Sequence, residues 1–184
     1  MLQYEPVIAA TRKWVESMVV AMNLCPFAGR ELINDRVRFS VTDAASEAQL
    51  LTVLETELEL LGADPSIETT LLIHPGVLQD FYDYNQFLDY ADGLLVQMKL
   101  EGICQIASFH PDYQFGGTAP DDAENYSNRS PYPMLHLLRE DSLGRAIAQY
   151  PDVEAIPERN IELLKQLGRQ RLEAMLQACR DRTD

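Results

Sequence analysis

The chain has 184 residues, 46% of them hydrophobic and 24% charged, which suits one globular domain with a real core and not a disordered or fibrous chain. Its 29 acidic against 15 basic residues give a formal net charge of −14, a field that repels phosphate backbones, so no nucleic-acid partner is expected. No apolar run approaches the roughly 18 residues of a membrane span, no basic segment leads into an apolar one near the N-terminus, and Cys25, Cys104 and Cys179 are sparse and odd in number, so the expected setting is a reducing cytoplasm with no membrane contact.

Residues 5–24 are expected to form a helix, because Val7, Ile8, Thr11, Trp14, Val15, Met18, Val19 and Met22 recur at helical spacing before Pro26 stops it. Residues 36–42 alternate Val37, Phe39 and Val41 with polar neighbours, the pattern of a half-exposed edge strand. Ser46 and Gln49 form a capping box opening a second helix, whose Leu51, Leu54, Leu58 and Leu61 stripe is closed by Gly62. The apolar run 68–74, ended by Pro75, predicts a buried strand. The next helix carries Phe81, Tyr84, Leu88, Ala91, Leu95 and Met98 on one face, and residues 102–110 before Pro111 predict a third strand. Two more helices are expected over residues 133–149 and 156–178, with Pro157 in the first turn of the latter and Gly168 bending or breaking it.

Strands separated by helices predict an α/β fold: one small domain over residues 1–184, two or three layers deep, with a mainly parallel sheet of about three strands. The binding crevice of such a sheet lies at the carboxyl ends of its strands. The charged stretch from Arg169 is expected to project from the body or to pair with a second chain as a homo-oligomer contact.

The connection from Pro111 to Tyr132 is far longer than the median loop of roughly 4–6 residues. It holds Tyr113, Phe115, Tyr126 and Tyr132, which need something to pack on, so it is expected to be an ordered loop over the sheet edge, either functional or a structural cap. The strings Asn23-Leu-Cys-Pro-Phe-Ala28, Thr69-Thr-Leu-Leu-Ile-His-Pro75, Ala107-Ser-Phe-His-Pro-Asp-Tyr-Gln-Phe115 and Asn128-Arg-Ser-Pro-Tyr-Pro-Met-Leu-His-Leu-Leu-Arg-Glu140 are long and specific. Through them the chain resembles, from Trp14 to Gly168, the bacterial and plastid family named domain of unknown function 1415. That resemblance implies no particular activity.

All three histidines fall inside these strings. His74 and His110 each end a predicted strand before proline. If those strands are parallel neighbours, their backbones lie roughly 5 Å apart at one edge. His136 is expected in the first turn of the helix after the long loop. The three could close on a zinc or ferrous ion, although the spacing matches no short metal motif. The bland alternatives are three separately hydrogen-bonded histidines, or His136 paired with Glu140. Asp112, two residues after His110, is the best placed of Asp112, Asp121 and Asp122 to orient an imidazole or act as base; the alternative is turn formation and solvation.

Arg129, flanked by Asn128 and Ser130 at an expected helix start and with Tyr113 in the same loop, suits a phosphate or carboxylate receptor, or else ties the loop to a backbone carbonyl or to Asp121 or Asp122. Asn125 and Asn128 fit the glycosylation pattern, which would require secretion. Cys25 reads as a buried small hydrophobe, since a helix C-terminus disfavours a thiolate; Cys104 and Trp14 read as core. No Walker loop or GxGxxG is present, so no nucleotide cofactor is expected. The leading expectation is a small-molecule enzyme, a hydrolase or isomerase with or without a metal, acting on an anionic metabolite. His110, His136 and Asp112 would be catalytic, and Arg129, Asn128, Ser130 and Tyr113 would hold substrate. The rival is a non-catalytic module that binds an anion or a partner protein.

Overall fold

The computed structural model describes residues 4–181. Helix α1 (Tyr4–Trp14) runs into a widened π-helical segment (Val15–Val20), marked by bonds from the Ala21 and Leu24 amides to the carbonyls five residues back. Asn23, at φ 53°, ends it in the left-handed conformation that asparagine tolerates. A short helix α2 (Ala28–Ile33), which the periodicity does not announce, precedes strand β1 (Val37–Val41). Helix α3 (Glu47–Ala63) starts where Ser46 accepts the Gln49 N–H at 3.3 Å, and runs one residue past Gly62. Then come β2 (Thr69–Ile73), α4 (Phe81–Gln97) capped by Asp80, and β3 (Cys104–Phe109).

The segment expected to be one helix over 133–149 is two elements: strand β4 (Met134–Arg139) followed without a break by helix α5 (Glu140–Gln149). The physical reason is burial. Met134, Leu135 and Leu137 have no exposed surface, because β4 is a central strand packed on both faces. A continuous apolar run is what such a strand looks like, and periodicity cannot distinguish it from a buried helix.

The described residues form one four-stranded sheet in the order β1-β2-β4-β3. β1 and β2 are parallel, while β4 is antiparallel to both neighbours. The sheet is therefore mixed, with one strand more than expected. β1, β2 and β3 still share a direction, and β1 lies at an edge. On one face, α3 and α4 bury Leu50, Leu54, Leu58, Leu61, Tyr84 and Phe87 against Leu72, Leu135 and Leu137. On the other, α1 and the C-terminal helices bury Trp14, Met18, Leu164, Leu172 and Leu176 against Leu71, Ile73 and Met134.

Gly168, at φ 77°, breaks the last predicted helix into α6 (Ile156–Leu167) and α7 (Arg169–Arg180). α7 does not project from the body. Leu172, Leu176 and Cys179 turn its apolar face inward, and Lys13 of α1 donates to the Ala178 carbonyl at 2.6 Å. No described helix is long and apolar enough to cross a membrane.

Candidate functional site

At the carboxyl edge, His74 follows β2 and His110 follows β3, both completely buried. They share that edge but do not sit on neighbouring strands. β4 runs between them, which puts their backbones roughly 10 Å apart, two strand spacings and not one. Tyr84 fills the interval. Its ring stacks on His74 at 5.9 Å and tilts against His110 at 5.0 Å. Its hydroxyl donates to the Met134 carbonyl at 2.8 Å and accepts the Phe109 N–H at 3.0 Å.

The bonding partners fix both tautomers. His74 donates from Nδ1 to the Val77 carbonyl at 3.0 Å. His110 accepts the Asp112 N–H at Nδ1 at 3.0 Å, so its proton is on Nε2, which donates to the Leu78 carbonyl at 3.1 Å. Leu78 is held at φ 57°, a conformation that leucine seldom adopts. The two imidazoles thus fasten the β2–α4 loop. Burial pushes the His74 pKa down to about 4 and lowers that of His110. Asp112 offers His110 its backbone and not its carboxylate.

The other expected anion ligands also serve the loop. Arg129 donates from Nε to the Tyr113 carbonyl at 3.2 Å and from Nη2 to the Pro120 carbonyl at 2.7 Å, and lies 4.7 Å over the Tyr126 ring. Asn128 donates to the Ser108 carbonyl and Ser130 to the Tyr132 carbonyl, while the Tyr113 hydroxyl accepts from Ser108. Asp121 pairs with Arg169, and Asp122 accepts the Ala119 N–H. Asn125, fully buried, organises the loop: Oδ1 accepts from the Phe115 amide and the Thr118 hydroxyl, and Nδ2 donates to the Ala119 carbonyl. Beside the loop, a groove of about 530 Å³ runs to α7 and is lined by Arg129, Arg180, Asp112, Tyr126, Tyr132 and Glu173 among others.

His136 belongs elsewhere. As the third residue of β4 and not the first turn of a helix, it points to the opposite face of the sheet from His74 and His110. The three imidazoles therefore do not converge. Among the described residues no group of three or more His, Cys, Asp or Glu is placed to hold a metal ion, so the zinc or iron triad is corrected. Nor does His136 pair with Glu140: in extended backbone four residues span about 13 Å, where a helix would have set the two one turn apart.

His136 instead forms part of a cavity of about 290 Å³ under α2, α5 and the π-helical segment. The strand register puts Leu71, His136 and Ala107 in one row across β2, β4 and β3. Ala107 carries only a methyl, which leaves space beside the imidazole. Phe109 and Trp14 wall one side, in edge contact at 5.3 Å, with Phe109 5.9 Å from the imidazole. Val15 and Val19 come from the π-helical segment, Cys25, Phe27 and Ala28 from the turn into α2, and Leu143 and Ala146 from α5. Neither α2 nor α5 has a fully buried residue, because their inward sides face this space.

The polar atoms of the cavity are few and defined. The Thr69 hydroxyl donates to the Leu137 carbonyl at 2.7 Å, which uses its one proton, so it accepts from His136 Nε2–H at 2.6 Å. His136 Nδ1 then carries a lone pair. It has no hydrogen-bond partner among the described residues and is not among the sealed, orphaned atoms, so it keeps contact with the cavity. Burial pushes the His136 pKa down to about 4, which leaves the ring neutral near pH 7. Burial likewise raises the Cys25 thiol, against the opposing pull of the Phe27 and Ala28 amides. Cys25 thus stays protonated, though its place is before α2 and half-exposed at the cavity and not in a core.

Glu31 accepts no side-chain hydrogen bond; Arg36 Nη1 stands 3.3 Å from Oε2 out of bonding alignment, and Arg36 also pairs with Glu68 at 2.5 Å. Arg139, also in the lining, donates from Nε to the Ile67 carbonyl and from Nη2 to the Leu61 and Asp64 carbonyls, at and just after the end of α3.

Sequence reasoning found His136 but not its surroundings. Thr69, Ala107 and Phe109 could have been paired with it only from the strand order, and the position of α2 had no periodic signal. Each of the four strings quoted above contributes wall residues: Cys25, Thr69, Ala107 and His136 stand for them in turn. No curated protein and no solved structure shows significant similarity to the chain. The model of the family described as protein of unknown function (DUF1415) matches residues 6–174, somewhat beyond the span of the quoted strings, and the chain belongs to that family.

Proposed function

We propose that the protein binds a small, largely apolar organic molecule in the His136 cavity. The observation that carries this reading is an apolar space whose one unsatisfied imidazole nitrogen is held in a fixed tautomer by Thr69. Few, well-placed polar groups in an apolar concavity are the usual composition of a ligand site. An apolar cavity of ~150 Å³ takes a benzene ring, so 290 Å³ suits a two-ring molecule. With a pKa of about 4, His136 is a poor general base at neutral pH, which favours binding over proton-transfer catalysis.

Trp14 is the sole tryptophan, 2% exposed, and lines the cavity, which supplies a built-in reporter. Benzothiophene or indole should raise the melting temperature, and non-fluorescent benzothiophene should change Trp14 emission saturably. Ala107→Phe, which fills the floor, should abolish both effects. Saturable binding that survives Ala107→Phe would move the site elsewhere.

A second reading rests on the groove at the carboxyl edge. Arg129 and Arg180 both line it; Arg180 uses Nε on the Pro131 carbonyl, and neither guanidinium has a carboxylate partner among the described residues. A phosphate or dicarboxylate would suit the remaining N–H groups. Such anions should stabilise the parent protein against heat but not Arg180→Gln; no stabilisation of the parent removes this reading.

A further inference from the structure

We infer that the molecule bound in the His136 cavity is a hydrogen-bond donor without negative charge, whose N–H or O–H is received by His136 Nδ1. This deepens the cavity reading above and rests on it. Thr69 has spent its only proton on the Leu137 carbonyl, so the strand pair β2–β4 holds the imidazole proton on Nε2 and leaves Nδ1 as an acceptor alone. A ligand that presents a lone pair there meets a lone pair. One that presents an N–H or O–H completes a bond whose absence leaves a half-buried nitrogen unpaired.

Charge points the same way. Glu31 and Glu68 both line the cavity; Arg36 is shared between the two, and Arg30, 3.8 Å from Glu31, is largely exposed and outside the lining. Arg139, which also lines the cavity, spends Nε and Nη2 on carbonyls at and just after the end of α3. A carboxylate or phosphate entering this space would thus face two carboxylates whose nearest guanidinium, Arg36, is already paired with both. In the carboxyl-edge groove, by contrast, Arg129 and Arg180 have no acidic partner among the described residues.

The test uses three probes of one shape on the full chain: indole, which carries an N–H; benzothiophene, which has the same two-ring outline without a donor; and indole-3-carboxylate, which adds a negative charge. Dissociation constants come from amide chemical-shift titration, with the imidazole ¹⁵N shifts of His136 followed in parallel. Indole should bind about 5- to 150-fold tighter than benzothiophene, the range expected for leaving a buried acceptor unpaired. It should move the Nδ1 resonance of His136 and leave Nε2 nearly still, and indole-3-carboxylate should bind more weakly than indole. In His136→Phe, which keeps a ring but removes Nδ1, the two neutral probes should bind alike.

Equal binding of indole and benzothiophene to the parent would overturn the donor inference while leaving the cavity reading intact. Tighter binding of indole-3-carboxylate would overturn the charge requirement. Binding of none of the three would overturn both the inference and the reading beneath it. Should His136→Phe not fold, the ¹⁵N shifts of the parent decide alone.

Discussion

Acid should weaken this protein from pH 6.5 downward, because its buried imidazoles are held neutral. His74 and His136 have pKa values pushed from 6.5 to about 4 by burial, and His110 is lowered as well. Below pH 6.5 the unfolded chain takes up protons that the folded one refuses, so stability falls as pH falls, over the window from 6.5 to about 4. At pH 4.5 a group with these two values costs about 2.5 kcal/mol, by the linkage of 1.36 kcal/mol per pH unit.

His74 carries that in full. His136 keeps some contact with the cavity, so its share is the smaller, and the pair together should remove about 3–5 kcal/mol, against a typical total of 5–15 kcal/mol. Glu57 and Asp64 act at the lower end of that window or below it. For Glu57, burial acts upward but hydrogen bonds from Arg38 and Ser40 leave the pKa lowered, and Asp64 is lowered by Ser66. Their contributions are lost only as pH falls below 4.5. Urea unfolding between pH 7.5 and 4.5 measures the effect, and His74→Gln should flatten it by about 2 kcal/mol. A parent protein equally stable at both ends of that range would refute the argument.

Three further outcomes follow from single bonds. Thr69→Val removes the acceptor of His136 Nε2–H, which should cost about 1–3 kcal/mol and lower the calorimetric melting temperature by several degrees. Tyr84→Phe leaves the Met134 carbonyl and the Phe109 amide without partners at the sheet edge; a loss of about 2–5 kcal/mol is expected, with faster hydrogen exchange at Phe109. Arg139→Lys replaces a fork that spans the carbonyls ending α3 with a single point donor, so thermal unfolding followed by circular dichroism should show about 1–3 kcal/mol less stability.

Much of the fold is legible in residue order. The Ser46 cap, the leucine stripe of α3, the presence of β1, β2 and β3 and the break at Gly168 all follow from local rules, because each is decided within a few residues. What local rules miss is tertiary. Whether Met134 to Arg139 coils or extends is decided by the gap between β2 and β3, which no window of sequence contains. α2 owes its place to the turn at Cys25 and Pro26 and has no buried stripe to reveal it. Arg129, Asn128 and Ser130 looked like ligand donors because their partners, carbonyls at Tyr113, Pro120, Ser108 and Tyr132, have no sequence signature at all.

The insertion of β4 explains why the histidines part company. Had that segment been a helix, β2 and β3 would have been free to pair, which would have brought His74 and His110 to adjacent backbones, with His136 close above them. As a strand it sets the first two apart by two strand spacings, and Tyr84 occupies the interval. The same two-residue alternation that sends Leu135 and Leu137 into the α3–α4 core sends Met134 and His136 to the other side. There the register sets His136 beside Ala107, the smallest residue of its row, and Thr69 is near enough to hold its proton. One change of secondary structure thus turns an expected metal triad into two backbone ties on one face and a single oriented acceptor on the other.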